Sequence, residues 1–379
     1  MAETRSRPAA AAGVPAARQR PLAPTRPTPA RPAPARPAGG GRVGLWSAVG
    51  AAALIATVVV AVTIGPADIG AGDVWRTVVT NLGLGDVLGV ESPARLVDAT
   101  VWQLRLPRVL TAAAVGAGLA VCGVVMQSLT RNPLADPFLL GLSSGASLGA
   151  ASVLVLGAAV LLPVAAFVGA AAALVATLAL AAASGRGGLA PTRTVLAGLA
   201  VGQLAAAATS FVIFWSAQGD QYRQILAWLM GSVAGATWTS VAVAGGAVLV
   251  LGSALAATGS LLDAFTFGDT AAAALGVPVQ RTRWSLLVGV ALLTGALVSQ
   301  SGSIGFVGLI LPHAVRLVVG GRHRALLPLS ALVGATFLVW ADTLARTVFA
   351  PRELPVGVIT AALGAPVFAA LLWRSRSTS

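Results

Sequence analysis

Apolar runs about twenty residues long, separated by short polar or Gly/Pro-containing connections, recur ten times along the chain. They fall near residues 44–65, 107–128, 138–158, 161–183, 194–216, 238–258, 284–300, 306–320, 325–346 and 356–373. At a rise of about 1.5 Å per residue, such runs match a hydrocarbon core about 30 Å thick when helical. In lipid the backbone must satisfy its own hydrogen bonds, which a helix does within one segment. The pattern predicts an all-α polytopic membrane protein with about ten transmembrane helices. Composition agrees: 56% of residues are apolar and 10% charged, against about 25% charged in soluble domains. Abundant Gly and Ala within the runs suit helices that approach closely without a hydrophobic drive between them.

Four segments interrupt the rhythm. Residues 1–42 hold nine Pro, twelve Ala and eight Arg without apolar periodicity, a composition that predicts a disordered tail. The first apolar run after it is of spanning length and has no small-residue cleavage site, so it reads as a helix of the permanent membrane domain, residues 43–376. Residues 66–106 form a long outer connection. Residues 217–237 are too short and too polar at their start to span, which predicts a short extracytoplasmic helix. Residues 259–283 predict two short helices broken at Gly276 and Pro278. Residues 377–379 are a second, minimal tail.

The charges orient the chain. Connections on the N-terminal side carry Arg131, Arg186, Arg193, Arg281, Arg283, Arg322, Arg324, Arg374 and Arg376 against Asp136, Asp263 and Asp269, whereas the opposite side is balanced. The positive-inside rule makes the arginine-rich side cytoplasmic, and both termini with it. The formal charge is +13, and +7 of it belongs to residues 1–42. The membrane part has no basic stripe interleaved with aromatics, which excludes nucleic acid as a partner.

Candidate chemistry is sparse. Cys122 is the only cysteine and His313 and His323 the only histidines, so neither a disulfide framework nor a zinc site is expected. No nucleophile–base constellation and no GxxxxGK[ST] phosphate loop occurs, so no enzyme activity, ATP hydrolysis or cofactor is expected of this chain. Asp342 and Arg346 lie four apart on one helix, where they could form an intramembrane pair, or the arginine could reach the outer interface. His313 and Arg316 lie three apart beside a proline, a spacing that also suits packing and interface anchoring.

The stretches LRLPRVL (104–110), GLAVCGVVMQSLTRNPLADPFLLGLSSGASLGA (118–150), RQILAWLMGS (223–232), LGVP (275–278), GSIGFVGLILPHAVRL (302–317) and ELPVGVITAALGAPVFAALLWR (353–374) together resemble the FecCD-type permeases of ABC importers for iron-siderophores, haem and cobalamin. The resemblance covers roughly residues 44–376, and the Arg/Pro/Ala tail has no counterpart in it. It implies the type II importer architecture: ten helices per subunit in the cell membrane, a second permease subunit in a homodimer or heterodimer, cytoplasmic ABC ATPase subunits and an extracytoplasmic binding protein. Pore opening would then alternate between the two sides, driven by the ATPase.

The resemblance also implies roles for particular positions. Arg105 and Arg108 match arginines at the outer entrance of the second helix and Arg346 one at the outer end of the ninth, which meet acidic residues of the binding protein. A guanidinium suits that task because its planar fork grips a carboxylate in two places. Gly268, Asp269, Ala272, Leu275 and Gly276 match the segment that rests in a cleft of the ATPase. Pro191 and Thr192 match the cytoplasmic gate, where small hydroxyl residues are the family pattern and Pro191 departs from it. The implied activity is ferric-siderophore import. Cobalamin or haem import is the alternative within the family, and an ion-gradient-coupled carrier the competitor from another class, with a membrane-embedded enzyme a distant third.

Overall fold

The computed structural model describes residues 2, 40–65, 67, 69–184 and 190–376. Of the predicted tail over 1–42, all but residue 2 and residues 40–42 lies outside the described residues, and Gly40 opens the first helix. Residues 377–379 lie outside them too.

All ten expected spans are helical. They are α1 (Gly40–Thr63), α3 (Arg95–Thr130), α4 (Leu142–Val155), α5 (Leu162–Ala183), α6 (Pro191–Ser216), α8 (Trp238–Ala257), α11 (Val279–Ser301), α12 (Val307–Val319), α13 (His323–Thr347) and α14 (Val356–Arg376). Between them lie α2 (Ala71–Asn81) and the short α7 (Gln221–Leu229) on the outer side, and α9 (Gly259–Phe265) and α10 (Asp269–Ala274) on the inner side. The break between the two inner helices falls at Gly268, whose φ is +96°. Gly276, φ +81°, instead ends α10, and Pro278 is the N-cap of α11.

Seven of these helices are long and apolar enough to cross a membrane alone; α4, α12 and the apolar part of α14 are shorter. The sequence pattern overstated α4 because its run opens with a 3₁₀ turn at Pro137–Leu140 and closes at Gly157. The stretch before α12 is non-helical, and neighbouring backbone covers it: Gly302 lies against the Trp228 carbonyl and Gly231 against the Ser303 carbonyl. Irregular backbone at membrane depth is tolerated only when protein covers it in this way.

The second span is much longer than the apolar run suggested, at 36 residues. Its polar outer third, residues 95–106, continues the helix through a π-helical stretch at Ala99–Arg105. Pro107 follows with no N–H to give, so the carbonyl five residues back, Trp102, needs another donor. Trp238 of α8 supplies it, its indole Nε1–H donating to the Trp102 carbonyl at 3.0 Å while the rings pack 4.7 Å apart.

α3 is the axis of the fold and α13 packs along it more extensively than any other helix. Where the two cross, Gly116 faces Gly334, and a Cβ on either would overlap the carbonyl of the other. Two glycines therefore set how closely the backbones approach. Leu119, Val124, Val125, Leu326, Leu338 and Val339 are buried around the crossing.

Candidate functional site

The two helices of this central pair carry polar assemblies at both ends. The outer one begins with α1, whose last carbonyls have no helical partners and attract cations. Arg105 reaches across from α3, its Nη1 donating to the Val62 and Thr63 carbonyls at 3.0 and 2.8 Å and its Nη2 to Ala67 at 2.6 Å. Arg346 of α13 donates to the Ala61 carbonyl at 2.6 Å. Arg108 faces α13 and grips Asp342 through Nε, at 2.9 and 3.1 Å from the two carboxylate oxygens, and through Nη2 at 3.0 Å. Its remaining Nη1 donates to Glu353 at 2.7 Å.

This geometry corrects two expectations. Asp342 pairs with Arg108, 234 positions away, and not with Arg346, because the fork of Arg346 is drawn to the open end of α1. Arg105, Arg108 and Arg346 are also not free rim charges: all three are buried, at 6%, 8% and 4% exposure. Water reaches the cluster mainly at Glu353, whose side chain is 41% exposed. Three guanidiniums against two carboxylates leave one positive charge in excess.

The inner assembly is the 259–283 segment. Asp269, at the start of α10, accepts from Arg283 of α11 at 2.7 Å, and the Arg283 guanidinium lies 5.7 Å from the centroid of the Phe265 ring. Gly268 lies against the Arg131 side chain at the end of α3. Of the five expected contact residues, Gly268 and Ala272 turn inward and are buried, so they support the segment without presenting a surface. Leu275 and Gly276 are exposed, Leu275 by 70%, and Asp269 is partly exposed. The sequence reading missed Phe267, which projects at 78% exposure beside them. Its signal was an aromatic placed directly before a helix-breaking glycine in a cytoplasmic connection.

Pro191 occupies the first position of α6, where its missing N–H costs nothing. Thr192 beside it is exposed. Asp136, in the connection after α3, accepts the Phe138 N–H at 2.8 Å, yet burial pushes its carboxyl up to about 6. Among the described residues no group of three His, Cys, Asp or Glu could hold a metal ion.

A ten-span helical membrane domain with a charged outer cluster and an apolar-tipped inner segment is the architecture of an ABC importer permease. The sequence pattern of the FecCD transport family matches residues 53–374, and the chain belongs to that family, as a multi-pass protein of the cell membrane. It is 40% identical to the cobalamin import system permease protein BtuC of Halobacterium salinarum, over 87% of this chain and 96% of that one. It is 44% identical to the hemin transport system permease protein HmuU of Yersinia pestis, over 73% and 84%. Among solved structures it is similar to a metal-chelate type ABC transporter in an inward-facing conformation, with a TM-score of 0.76 and 30% identity over 87% of this chain and 99% of that one.

Proposed function

We propose that this chain, with a second permease subunit, forms the translocation pathway of an importer for a large metal chelate, powered by separate ATPase subunits and loaded by an extracytoplasmic binding protein. The observation that carries the reading is that the outer cluster and the inner segment are anchored on the same two helices. Arg105 and Arg108 lie at the outer end of α3 and Asp342 and Arg346 at that of α13, while the inner ends of both pack on α9, which leads into α10. Events at one face therefore reach the other through one packed pair.

The binding protein docks at the outer cluster. Its carboxylates replace Glu353 at Arg108 Nη1 and take up the excess positive charge, so Arg105, Arg108 and Arg346 act from a preorganised, buried position. The ATPase receives Phe267 and Leu275 in an apolar cleft, with Asp269 and Gly276 at its edge and Gly268 and Ala272 holding the segment's shape. Pro191 and Thr192, at the inner end of α6, belong to the cytoplasmic gate. Transport does not need residues 2–39, which precede α1.

Cobalamin is the cargo best supported, because a relative matched over 87% of this chain and 96% of its own length is a cobalamin import permease. Ferric siderophores, which family frequency favours, take second place. Competitive uptake decides between them: cells dependent on this chain should accumulate labelled cyanocobalamin, with unlabelled cobalamin competing and a ferric hydroxamate or haemin not. Competition by the ferric hydroxamate alone would reverse the assignment.

A further inference from the structure

Three side chains at the inner end of the central pair take no part in the contacts described above. Ser128 lies in the last turn of α3, Asp263 on α9, and His323 is the first residue of α13. The structure joins them into one chain of hydrogen bonds. Asp263 Oδ1 is 2.6 Å from His323 Nδ1 and also accepts the His323 backbone N–H at 3.0 Å. On the other side of the ring, His323 Nε2 is in hydrogen-bond contact with Ser128 Oγ. A carboxylate only accepts, so Nδ1 carries the proton at that end.

The chain does three things at once. Arg322, the residue that caps α13, offers no side-chain bond, so Asp263 supplies from α9 the anion that a helix N-terminus favours. Ser128 ties the ring to α3, and its hydroxyl lies 2.8 Å from the Val124 carbonyl of its own helix. Close packing supports the link: Gly259 opens α9 against the backbone of His323 and Arg324, where a Cβ would lie 3.2 Å from the Arg324 nitrogen. The trio has the residue types of a hydrolytic triad, which sequence inspection had not assembled. Ser128 and His323 are, however, buried at 5% and 2% exposure, which suits them to fixing positions and not to attacking a substrate.

We propose that the Ser128–His323–Asp263 chain is the strut that carries displacement of α9 and α10 to α3 and α13, with His323 as its positioning residue. This rests on the coupling role proposed above for the inner segment. Apolar contacts alone would let α9 slide along the start of α13, whereas directional bonds at both ring nitrogens fix its register against both central helices. Breaking the strut should leave the subunits assembled and the ATPase turning over, while less of each ATP-driven movement reaches the pathway.

The test uses the full complex purified through a tag on this chain and reconstituted in proteoliposomes, with cyanocobalamin uptake and ATP hydrolysis measured on the same vesicles. His323→Ala should lower uptake per ATP by about tenfold with hydrolysis nearly unchanged. Ser128→Ala and Asp263→Ala should each lower it, and the double variant should fall no further than the worse single one, because the chain fails at either end. Asp263→Asn, whose amide oxygen still accepts both N–H groups, should retain most of the coupling. Unchanged uptake per ATP in His323→Ala and Ser128→Ala would overturn the strut. So would a parallel loss of uptake, hydrolysis and assembly in every variant including Asp263→Asn, which marks a purely structural role. A wild-type complex with no ATP-driven uptake would overturn the proposed function, and the strut with it.

Discussion

Asp342→Leu should be among the most damaging single substitutions in this chain, and the structure says by how much. Asp342 is 2% exposed and Arg108 8%, and the carboxylate takes three donor contacts from Arg108, from Nε at 2.9 and 3.1 Å and from Nη2 at 3.0 Å. Removing the carboxylate strands two buried N–H groups at about 1–3 kcal/mol each, in line with the roughly 3–5 kcal/mol lost when one member of a buried pair is deleted. Glu353→Gln disturbs a contact at a side chain that is 41% exposed, and should cost no more than about 1 kcal/mol. Arg108→Met combined with Asp342→Leu should recover most of the loss, because the buried pair is removed whole and neither member is left without its partner. The assay is the apparent melting temperature of the protein in nanodiscs, with a double-mutant cycle for Asp342 against each of Arg108 and Arg346. Strong coupling to Arg108 and weak coupling to Arg346 is expected. Coupling to Arg346 of equal or greater size would refute the partner assignment.

Three further outcomes follow from the same geometry. Gly334→Leu places a side chain into the Gly116 carbonyl, and should lower the melting temperature and yield by forcing α3 and α13 apart, at about 3 kcal/mol or more. Phe267→Ala, with 78% of that residue exposed in the isolated chain, should leave melting unchanged while weakening ATPase association about tenfold in a pull-down titration, as loss of an apolar anchor does; undiminished association would remove Phe267 from the interface. Asp136 has its carboxyl raised to about 6, so its contribution to stability is full below about pH 4 and is lost as pH rises through 6. Asp136→Asn should therefore flatten the melting temperature between those values and stabilise the protein at pH 7.5 by up to about 3 kcal/mol, whereas an unchanged pH profile would show that the carboxyl titrates normally.

The spans were readable because apolar length is a local property, and their number and order needed nothing else. Orientation followed from arginine counts alone. The partner of Asp342 was not readable, since Arg108 is distant in sequence and meets it only because Gly116 and Gly334 let α3 and α13 cross closely. Burial of Arg105 was hidden for a similar reason: its acceptors are carbonyls at the end of α1, and backbone groups leave no residue-type signature. The length of α3 was obscured by its polar outer third, which continues the helix through the π-helical stretch at Ala99–Arg105 yet carries no apolar run of its own. On the inner side, which residues of the 259–283 segment faced outward depended on Gly268 as the break point, and that placed Phe267 at the tip.

The central claim is that this chain moves its cargo through coupling to an ATPase, and vesicle uptake tests it most directly. The tagged complex, reconstituted with ATP enclosed on the cytoplasmic side and the loaded binding protein outside, should accumulate labelled cyanocobalamin only with hydrolysable ATP, at a rate indifferent to a protonophore. Vesicles holding this chain alone should accumulate none under an imposed pH gradient. Gradient-driven uptake by the chain alone, abolished by the protonophore, would contradict the account and identify a secondary carrier.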